Sequence, residues 1–340
     1  MYKNRQSNFE LLRILAILMV VMEHFIRQSG LLESETGANG TINVFLGSGA
    51  RIAVNIFLLI GSWFMVDSTC RPSKAIKLYL ETAYYCIPIT ILMACFGLAG
   101  SAQNIIQGLL PFFGRPVWFA TAYISLILLT PFLNMVFLLP TRRQASLIGT
   151  LFVLYCIVSS VPCFSNIDYI ADFSWFCVIY LTVGWLKKAS LIDRVIISKW
   201  GYLLVAILTY IGLCVGAKTP QLSWTANYWL DNIRSLPNLL CAFCLFVFFL
   251  KTDIGAVRPI NFLARSIFAV YIVHQIPAFR EFEWKTICRA ESFSGAPTTM
   301  YALSILGVAV SILIAVTLID SLRIALFSVV ESRFGKGRGE

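Results

Sequence analysis

Apolar segments of about 20 residues recur along this chain, and each is long enough to cross the hydrocarbon core of a bilayer as a helix. Short polar segments separate them and hold most of the charged residues. A soluble domain of 340 residues with only 13% charged residues would lack the polar groups needed to cover its surface. The pattern therefore predicts an all-α integral membrane protein and excludes a soluble one.

The apolar segments predict a bundle of about ten transmembrane helices within a single domain that covers residues 1–340. No internal repeat and no linker divides the chain. We expect the helices to span residues 9–28, 43–66, 75–99, 117–139, 145–163, 171–187, 200–216, 232–250, 260–280 and 300–327.

The positions of the lysine and arginine residues predict the orientation of the bundle. If the N-terminus is cytoplasmic, the cytoplasmic segments hold most of the 27 basic residues, and an even number of helices returns the C-terminus to the same side. The net charge of +10 is distributed over these segments and does not form one patch, so we expect no nucleic-acid partner. The first helix has no small-residue cleavage site after it, and we expect it to stay uncleaved.

The ten cysteines do not predict a metal or redox site, because most of them lie inside apolar segments. Cys241 and Cys244 form a CxxC pair, but this pair lies within LLCAFCLFVFFL and lacks the second pair of ligands that a zinc site needs. We therefore expect no metal ligands in this chain.

The first apolar segment carries ionisable residues, which are costly at membrane depth and mark functional sites. Glu10 and Arg13 are three residues apart, so they can form an ion pair. His24 follows Arg13 by eleven residues, which places both on nearly the same helix face, about 16 Å apart. An arginine suits phosphate and a histidine suits proton transfer. Arg13 could instead extend to the lipid headgroups.

Two further ionisable residues, Arg51 and His274, fall inside predicted helices in the same outer half of the bilayer as His24. A shared polar cavity is possible there, although either histidine could instead be a neutral residue that bonds a neighbouring helix. Glu23 could pair with Arg51. Because Glu23 is adjacent to His24 in sequence, we expect it to point to another side of the first helix.

The segment 217–232, predicted to be external, is rich in aromatic residues and contains Trp224, Tyr228, Trp229 and Asp231. Aromatic rings can stack on a sugar ring, and a carboxylate accepts hydrogen bonds from sugar hydroxyls. The segment therefore predicts a carbohydrate-binding surface. An ordinary belt of interfacial aromatic residues would give the same pattern.

Four segments of the chain resemble, in the same order, the motifs of one known family. The resemblance rests on NFELLRILAILMVVMEHF with Glu10, Arg13 and His24, RIAVNIFLLIGSWFMV with Arg51, VWFATAYISLILLTPFLN with Trp118 and Tyr123, and SIFAVYIVHQ with His274. The family is the bacterial membrane acyltransferase 3 family, which includes O-acetyltransferases of O-antigen, exopolysaccharide and peptidoglycan. In this chain Gly61-Ser62 stands where the family has Ser-Gly, and Lys74 and Lys77 stand where it has two arginines.

The resemblance implies a membrane O-acyltransferase that takes an acyl group, expected to be acetyl, from cytoplasmic acyl-CoA and has no permanently bound cofactor. It implies that Arg13, Glu10, Lys74 and Lys77 bind the donor. Lysine binds phosphate as a point charge, without the planar fork of arginine, so it makes a weaker anchor. The lysines are also explained by the orientation rule alone.

The resemblance further implies that His24 is a general base or a transient acyl carrier, with Glu23 and Arg51 beside it in the reaction. We expect the acceptor, a surface polysaccharide or its lipid-linked precursor, to contact Trp118, Tyr123, Trp224, Trp229 and His274, although His274 could instead support the structure. The expected location is the bacterial cytoplasmic (inner) membrane. A transporter or flippase for a lipid-linked sugar, or a polysaccharide polymerase, would share many of these features.

Overall fold

The computed structural model describes residues 6–68, 72–112, 117–162 and 171–334, and these residues form helices and turns without a β-strand. The predicted all-α class holds for this part of the chain. Four basic residues of the termini, Lys3, Arg5, Lys336 and Arg338, lie outside the described residues. The α-helices are α1 (Ser7–Gln28), α2 (Leu31–Ser34), α3 (Gly37–Gly47), α4 (Ala50–Met65), α5 (Pro72–Cys95), α6 (Ala102–Leu109), α7 (Trp118–Asn134), α8 (Thr141–Phe152), α9 (Ala171–Lys188), α10 (Leu191–Arg194), α11 (Lys199–Lys218), α12 (Ser223–Asp231), α13 (Leu236–Leu250), α14 (Arg258–Ala264), α15 (Ile267–Val273), α16 (Pro277–Phe282) and α17 (Thr298–Phe334).

Six helical segments of the described chain are apolar and long enough to cross a membrane. Two bent helix pairs meet the same criterion when each is taken as one span, which gives up to eight. The number of ten stays a prediction. The six segments are Gly37–Met65, Pro72–Cys95, Trp118–Leu138, Thr141–Ser160, Lys199–Lys218 and Thr298–Val329.

The predicted span 260–280 is not one straight helix. It is divided among α14, α15 and α16, and the chain turns by 94° between Arg258–Val273 and Pro277–Ile287. Pro277 has no N–H group and disfavours helical geometry in the residue before it, and Ile276 is accordingly extended, with ψ of 116°. The break leaves His274 at the end of α15, next to α1.

Helix α1 lies at the centre of the bundle and packs against α3, α4, α13, α14, α15 and α17. Most of its apolar side chains are buried, whereas α11 and α17 expose many leucine, isoleucine and valine side chains, as expected for helices in contact with lipid. Because α1 faces protein on most sides, it can carry several ionisable residues at a depth where contact with lipid would be costly.

Polar side chains fix the segment between α12 and α13 to the bundle. Asn55 of α4 donates to the carbonyl oxygen of Ile233 over 2.7 Å, and its own side-chain oxygen accepts from the indole N–H of Trp175 over 2.9 Å. Asn55 and Trp175 are both fully buried. These bonds hold residues 231–234 over the N-terminal end of α4, beside Arg51.

A second polar contact fixes the segment before α17 to the start of α3. Glu35 accepts hydrogen bonds from the hydroxyl of Ser294 at 2.6 Å, the amide of Asn39 at 3.0 Å and the backbone N–H of Gly295 at 2.8 Å. The Ser294 bond, followed by those of Asn39 and Gly295, lowers the pKa of Glu35 below its ordinary value of 4.5. A lowered pKa means that this contribution to stability is present above the ordinary value and is lost as the pH falls through the folded-state value.

We therefore expect Glu35→Gln to lower the melting temperature of the detergent-solubilised protein at neutral pH, with the difference from the wild type shrinking as the pH falls from about 7 to about 3. Glutamine keeps an acceptor oxygen but carries no charge, so the difference in melting temperature between the variant and the wild type reports the contribution of the charged carboxylate. Glu33→Gln, at an exposed position two residues earlier, is the matched control. A difference that stays constant across this pH range would contradict the expected role of Glu35.

Candidate active site

The polar face of α1 opens into a cavity of about 400 Å³, here called the central cavity, between α1, α4, α5, α7 and α15. Arg13 and His24 both line it, so the two side chains that sequence spacing places on one face do share one cavity. The polar and aromatic residues that matter for its chemistry are Arg13, His24, Arg51, Glu81, Trp118 and Arg265.

Arginine side chains dominate the end of the central cavity at the start of α1. Arg13 forms the predicted ion pair with Glu10, with 2.9 Å between Nη1 and Oε1. Arg265 lines the same cavity, donates to the hydroxyl of Ser321 over 2.6 Å and lies over the ring of Phe262 at 4.2 Å. Two guanidinium groups therefore face this end, where a phosphate or carboxylate would find two planar donors.

Lys74 and Lys77 are exposed on α5 and lie outside the residues that line the central cavity. Leu78 and Glu81, each one helical turn after one of these lysines, do line it. The lysines thus lie on the side of α5 that faces the cavity, one turn beyond the residues that line it.

His24 lies at the other end of the central cavity, within a group of polar side chains. Its Nδ1 is 2.8 Å from Nε2 of His274, and the side-chain amide of Gln275 is 2.7 Å from the same Nδ1. Its Nε2 is 3.2 Å from Oε2 of Glu23. The expectation that Glu23 points to another side of the helix is therefore wrong, because the three torsions of its side chain bring the carboxylate back to the neighbouring imidazole.

Glu23 forms its ion pair with Arg27, one turn later on α1, with 2.9 Å between Oε1 and Nε. The suggested pair with Arg51 is not the one formed. Arg51 donates from Nε to the backbone carbonyl oxygen of Asp231 over 3.0 Å, and Arg27 also pairs with the Asp231 carboxylate. Asp231 therefore links the two arginines that flank the Glu23–His24 pair.

A larger, open cavity of about 1080 Å³, here called the vestibule, lies beyond Arg51. Arg51 and Trp118 line both cavities, so the vestibule and the central cavity adjoin at these two side chains. The other walls of the vestibule include Asp172, Trp224, Tyr228 and Asp231.

The residues predicted to contact the acceptor are distributed over different places. Trp224 lines the vestibule and is 70% exposed, whereas Trp229 donates its indole N–H to the Ser160 carbonyl oxygen over 2.7 Å and packs against a small apolar cluster. Trp229 thus has a packing role and lies outside the residues that line the vestibule, and its contact with a sugar stays a prediction. Tyr123 lines the central cavity and not the vestibule. It lies beside Gly61, where an added Cβ would collide with the hydroxyl of Tyr123.

His274 is fully buried and does not line either cavity. It lies behind His24 as seen from the central cavity and makes its contacts with His24 and with the backbone of α15. His274 therefore contacts the catalytic candidate itself, in keeping with the structural role that the sequence also allowed, and its contact with a substrate stays a prediction.

Comparison with known families identifies the chain. The model of the acyltransferase domain matches residues 6–316, nearly the whole sequence. The chain belongs to the acyltransferase 3 family. No curated protein and no solved structure matches it. The family and the apolar helices together make the protein a multi-pass membrane acyltransferase, and every residue that lines the two cavities lies within the matched range.

Sequence reasoning missed four residues of the candidate site: Arg27, Glu81, Arg265 and Gln275. Arg265 immediately precedes the SIFAVYIVHQ segment, yet the orientation rule had accounted for its charge. Gln275 follows His274 directly, and its position beside His24 depends on the break before α16. Arg27 follows Glu23 by four residues, and this spacing alone was a usable signal.

Proposed function

We propose that this membrane acyltransferase moves an acyl group, in the first instance acetyl, from cytoplasmic acyl-CoA to a hydroxyl of a surface polysaccharide or its lipid-linked precursor, in the cytoplasmic membrane of a bacterium. The observation that carries the proposal is the junction of two cavities of different character beside His24. A narrow cavity with arginines at its far end and a wide polar vestibule share Arg51 and Trp118. Two substrates that enter from opposite ends would meet there.

The central cavity suits an acyl-CoA. Arg13 and Arg265 offer planar donors for the phosphates at one end, and Lys74 and Lys77 add charge beyond it. The volume of about 400 Å³ lies within the range of small-molecule sites and accommodates a slender arm better than the whole nucleotide. The helix rise puts about 16 Å between Arg13 and His24, so an extended thioester arm that starts at the arginines can reach the imidazole.

The vestibule suits a carbohydrate. It is open, about 1080 Å³ in volume, and combines the aromatic side chains of Trp118 and Trp224 with the carboxylates of Asp172 and Asp231. Aromatic faces stack on the apolar faces of sugars, and carboxylates accept hydrogen bonds from hydroxyl groups. An acceptor hydroxyl bound at Arg51 would lie next to the His24 end of the central cavity.

The proposed reaction is a direct acyl transfer. Nε2 of His24 takes the proton of the acceptor hydroxyl as its oxygen attacks the thioester carbonyl, and Glu23 stabilises the imidazolium that forms. Arg51 stabilises the negative oxygen of the tetrahedral intermediate. The carbon–sulfur bond then breaks, and the imidazolium returns the proton to the leaving thiolate, so that CoA leaves as the thiol. A route through an acyl-His24 intermediate uses the same atoms in two steps.

The proposed membrane topology has ten spans with both termini in the cytoplasm. It is supported by the six apolar helices, the two bent pairs, and α1 and α9, which are 22 and 18 residues long and contain four and three Asp, Glu, Lys or Arg residues. In this topology the Arg13 end of the central cavity faces the cytoplasm, the compartment that contains acyl-CoA, and the vestibule faces outward.

The test of the donor site uses binding of radiolabelled acetyl-CoA to the purified protein in detergent. We expect Arg13→Gln to weaken binding by about 10–100-fold, because a hydrogen bond to a charged group contributes roughly 1.5–3 kcal/mol. Arg142→Gln, at an exposed position on α8, is the matched control and should bind as the wild type does. Equal affinities for the two variants would contradict a donor site at Arg13.

A transporter or flippase for a lipid-linked sugar remains the competing function, since two adjoining cavities also suit a passage. The same preparation separates the two functions. A wild-type protein that neither binds acetyl-CoA nor transfers its acyl group to an added glycan would exclude the acyltransferase proposal for this substrate. Mass analysis of surface glycans from cells with and without the gene tests the acceptor separately. Loss of an acetyl mass from one glycan would identify it as the acceptor, and unchanged masses would contradict acetylation of a surface glycan.

A further inference from the structure

His274 offers a hydrogen-bond arrangement that determines where its protons lie. Its Nδ1 is 2.5 Å from the backbone carbonyl oxygen of Val270. A carbonyl oxygen only accepts hydrogen bonds, so Nδ1 of His274 carries a proton and donates it. The ring is fully buried, and its described neighbours include the rings of Tyr271 and Trp284. No carboxylate among the described residues contacts this ring, so a second proton would create an unpaired buried cation, which is costly. Nε2 of His274 is therefore an acceptor.

The acceptor nitrogen of His274 determines the tautomer of His24. Nδ1 of His24 lies 2.8 Å from it, and two nitrogens at this distance need one proton between them. Since Nε2 of His274 has none, Nδ1 of His24 supplies it. The side-chain nitrogen Nε2 of Gln275 is placed 2.7 Å from the same Nδ1. An amide offers a donor or, after a flip, an acceptor, so Gln275 adapts to the tautomer that His274 sets: it presents its oxygen while Nδ1 is protonated and its nitrogen when Nδ1 is not.

The other nitrogen of His24 is then the one that exchanges protons. Nε2 of His24 lies 3.2 Å from Oε2 of Glu23, and within the described structure this buried oxygen has no hydrogen-bond partner. The second oxygen of Glu23 is held by Arg27. A proton that arrives at Nε2 therefore meets a fixed carboxylate oxygen, whereas Nδ1 is already committed to His274.

We infer that His274 is a positioning residue that holds one proton on Nδ1 of His24, so that Nε2, beside Glu23, is the nitrogen that takes and returns the catalytic proton. The inference about catalysis rests on the proposed acyl transfer. The inference about the tautomer rests only on the contacts of the two histidines and the burial of His274. In water neutral histidine favours the proton on Nε2, and the Glu23 carboxylate would favour it there too, so His24 without His274 would present a protonated nitrogen where a base is required.

The first experiment reads the tautomer directly. The chain contains only two histidines, so nitrogen-15 labelling of histidine gives two sets of ring signals, and His274→Phe leaves those of His24 alone. In wild-type protein in detergent at neutral pH we expect a protonated Nδ1 on both rings. In His274→Phe we expect the proton of neutral His24 on Nε2, and in His274→Gln, which keeps an acceptor oxygen near the same place, we expect it on Nδ1. A wild-type His24 protonated on Nε2 alone, or an unchanged tautomer in His274→Phe, would overturn the inference.

The second experiment reads the consequence for turnover. We expect His274→Phe to lower kcat by about 100-fold, the lower end of the rate contribution of a general base, because His24 would no longer present an unprotonated nitrogen. KM for acetyl-CoA should change by less than about twofold. His274→Gln should recover most of kcat. An equal loss in both variants would assign His274 to packing and overturn the positioning role. If wild-type protein shows no acyl transfer, the proposed function fails, and the labelling experiment still decides the tautomer.

Discussion

His24→Asn is expected to reduce the rate of acyl transfer by about 100- to 10,000-fold, the contribution of a positioned general base. The side-chain amide nitrogen of asparagine can occupy the place of Nδ1 and donate to His274, so the buried polar contact is kept while the nitrogen that takes the proton is lost. Because the arginines at the far end of the central cavity are untouched, affinity for acetyl-CoA should stay within about twofold. Initial rates and equilibrium binding on one preparation measure both quantities.

The matched control for His24 is Leu15→Ala on the same helix, since Leu15 is 43% exposed and is directed away from the cavity. It should transfer acyl groups at the wild-type rate. If His24→Asn retained the wild-type rate, His24 would not be the general base, and the proposed site at the cavity junction would lack one. Mass analysis of wild-type protein quenched during turnover separates the two routes, because an acyl group on His24 would identify the covalent one.

Arg323→Met is expected to destabilise the protein by about 3–5 kcal/mol, the cost of removing one partner from a buried ion pair. Arg323 of α17 contacts two carboxylates, Glu81 of α5 at 3.0 Å and Asp320 at 2.5 Å. Tyr85 of α5 donates its hydroxyl to Asp320 over 2.5 Å. The side chains of Arg323, Glu81 and Asp320 are at most 8% exposed, so loss of the guanidinium would remove the cation that contacts both of these buried carboxylates.

Thermal unfolding in detergent measures this effect, and a compensated variant serves as its control. Glu81→Gln and Asp320→Asn, added to Arg323→Met, remove both orphaned charges and should restore most of the lost stability. A single Arg323→Met as stable as the wild type would show that the network does not tie α5 to α17. Glu81 also lines the central cavity, so we expect the single variant to lose acetyl-CoA affinity as well.

Local patterns in the sequence were sufficient for the membrane class, for the family and for the polar face of α1. Helix geometry repeats at 3.6 residues per turn, so eleven residues bring Arg13 and His24 to one face regardless of what surrounds the helix. The Glu10–Arg13 pair is equally local. Each apolar span, each family motif and each of these residue pairs lies within one continuous segment, and tertiary packing does not change the spacing of residues within it.

What the sequence did not provide depends on side-chain torsions and on contacts between distant segments. The direction of the Glu23 carboxylate depends on torsions that no periodicity determines, and the packing role of Trp229 depends on Ser160, 69 residues earlier. His274 reaches His24 across 250 residues because the chain breaks before Pro277 and α15 ends against α1. Arg265 belongs to the central cavity only because α14 and α15 lie beside α1.

The sequence by itself determined that this chain crosses a membrane as helices, that it has the motifs of an acyltransferase 3 protein and that one helix carries an arginine and a histidine on the same face. Tertiary structure alone decided which nitrogen of His24 faces Glu23 and which cavities meet at Arg51. The physical reason is the distance along the chain over which each effect acts. Hydropathy and helical period act within a segment, whereas hydrogen-bond partners and cavity walls come from whichever segments the packing brings together.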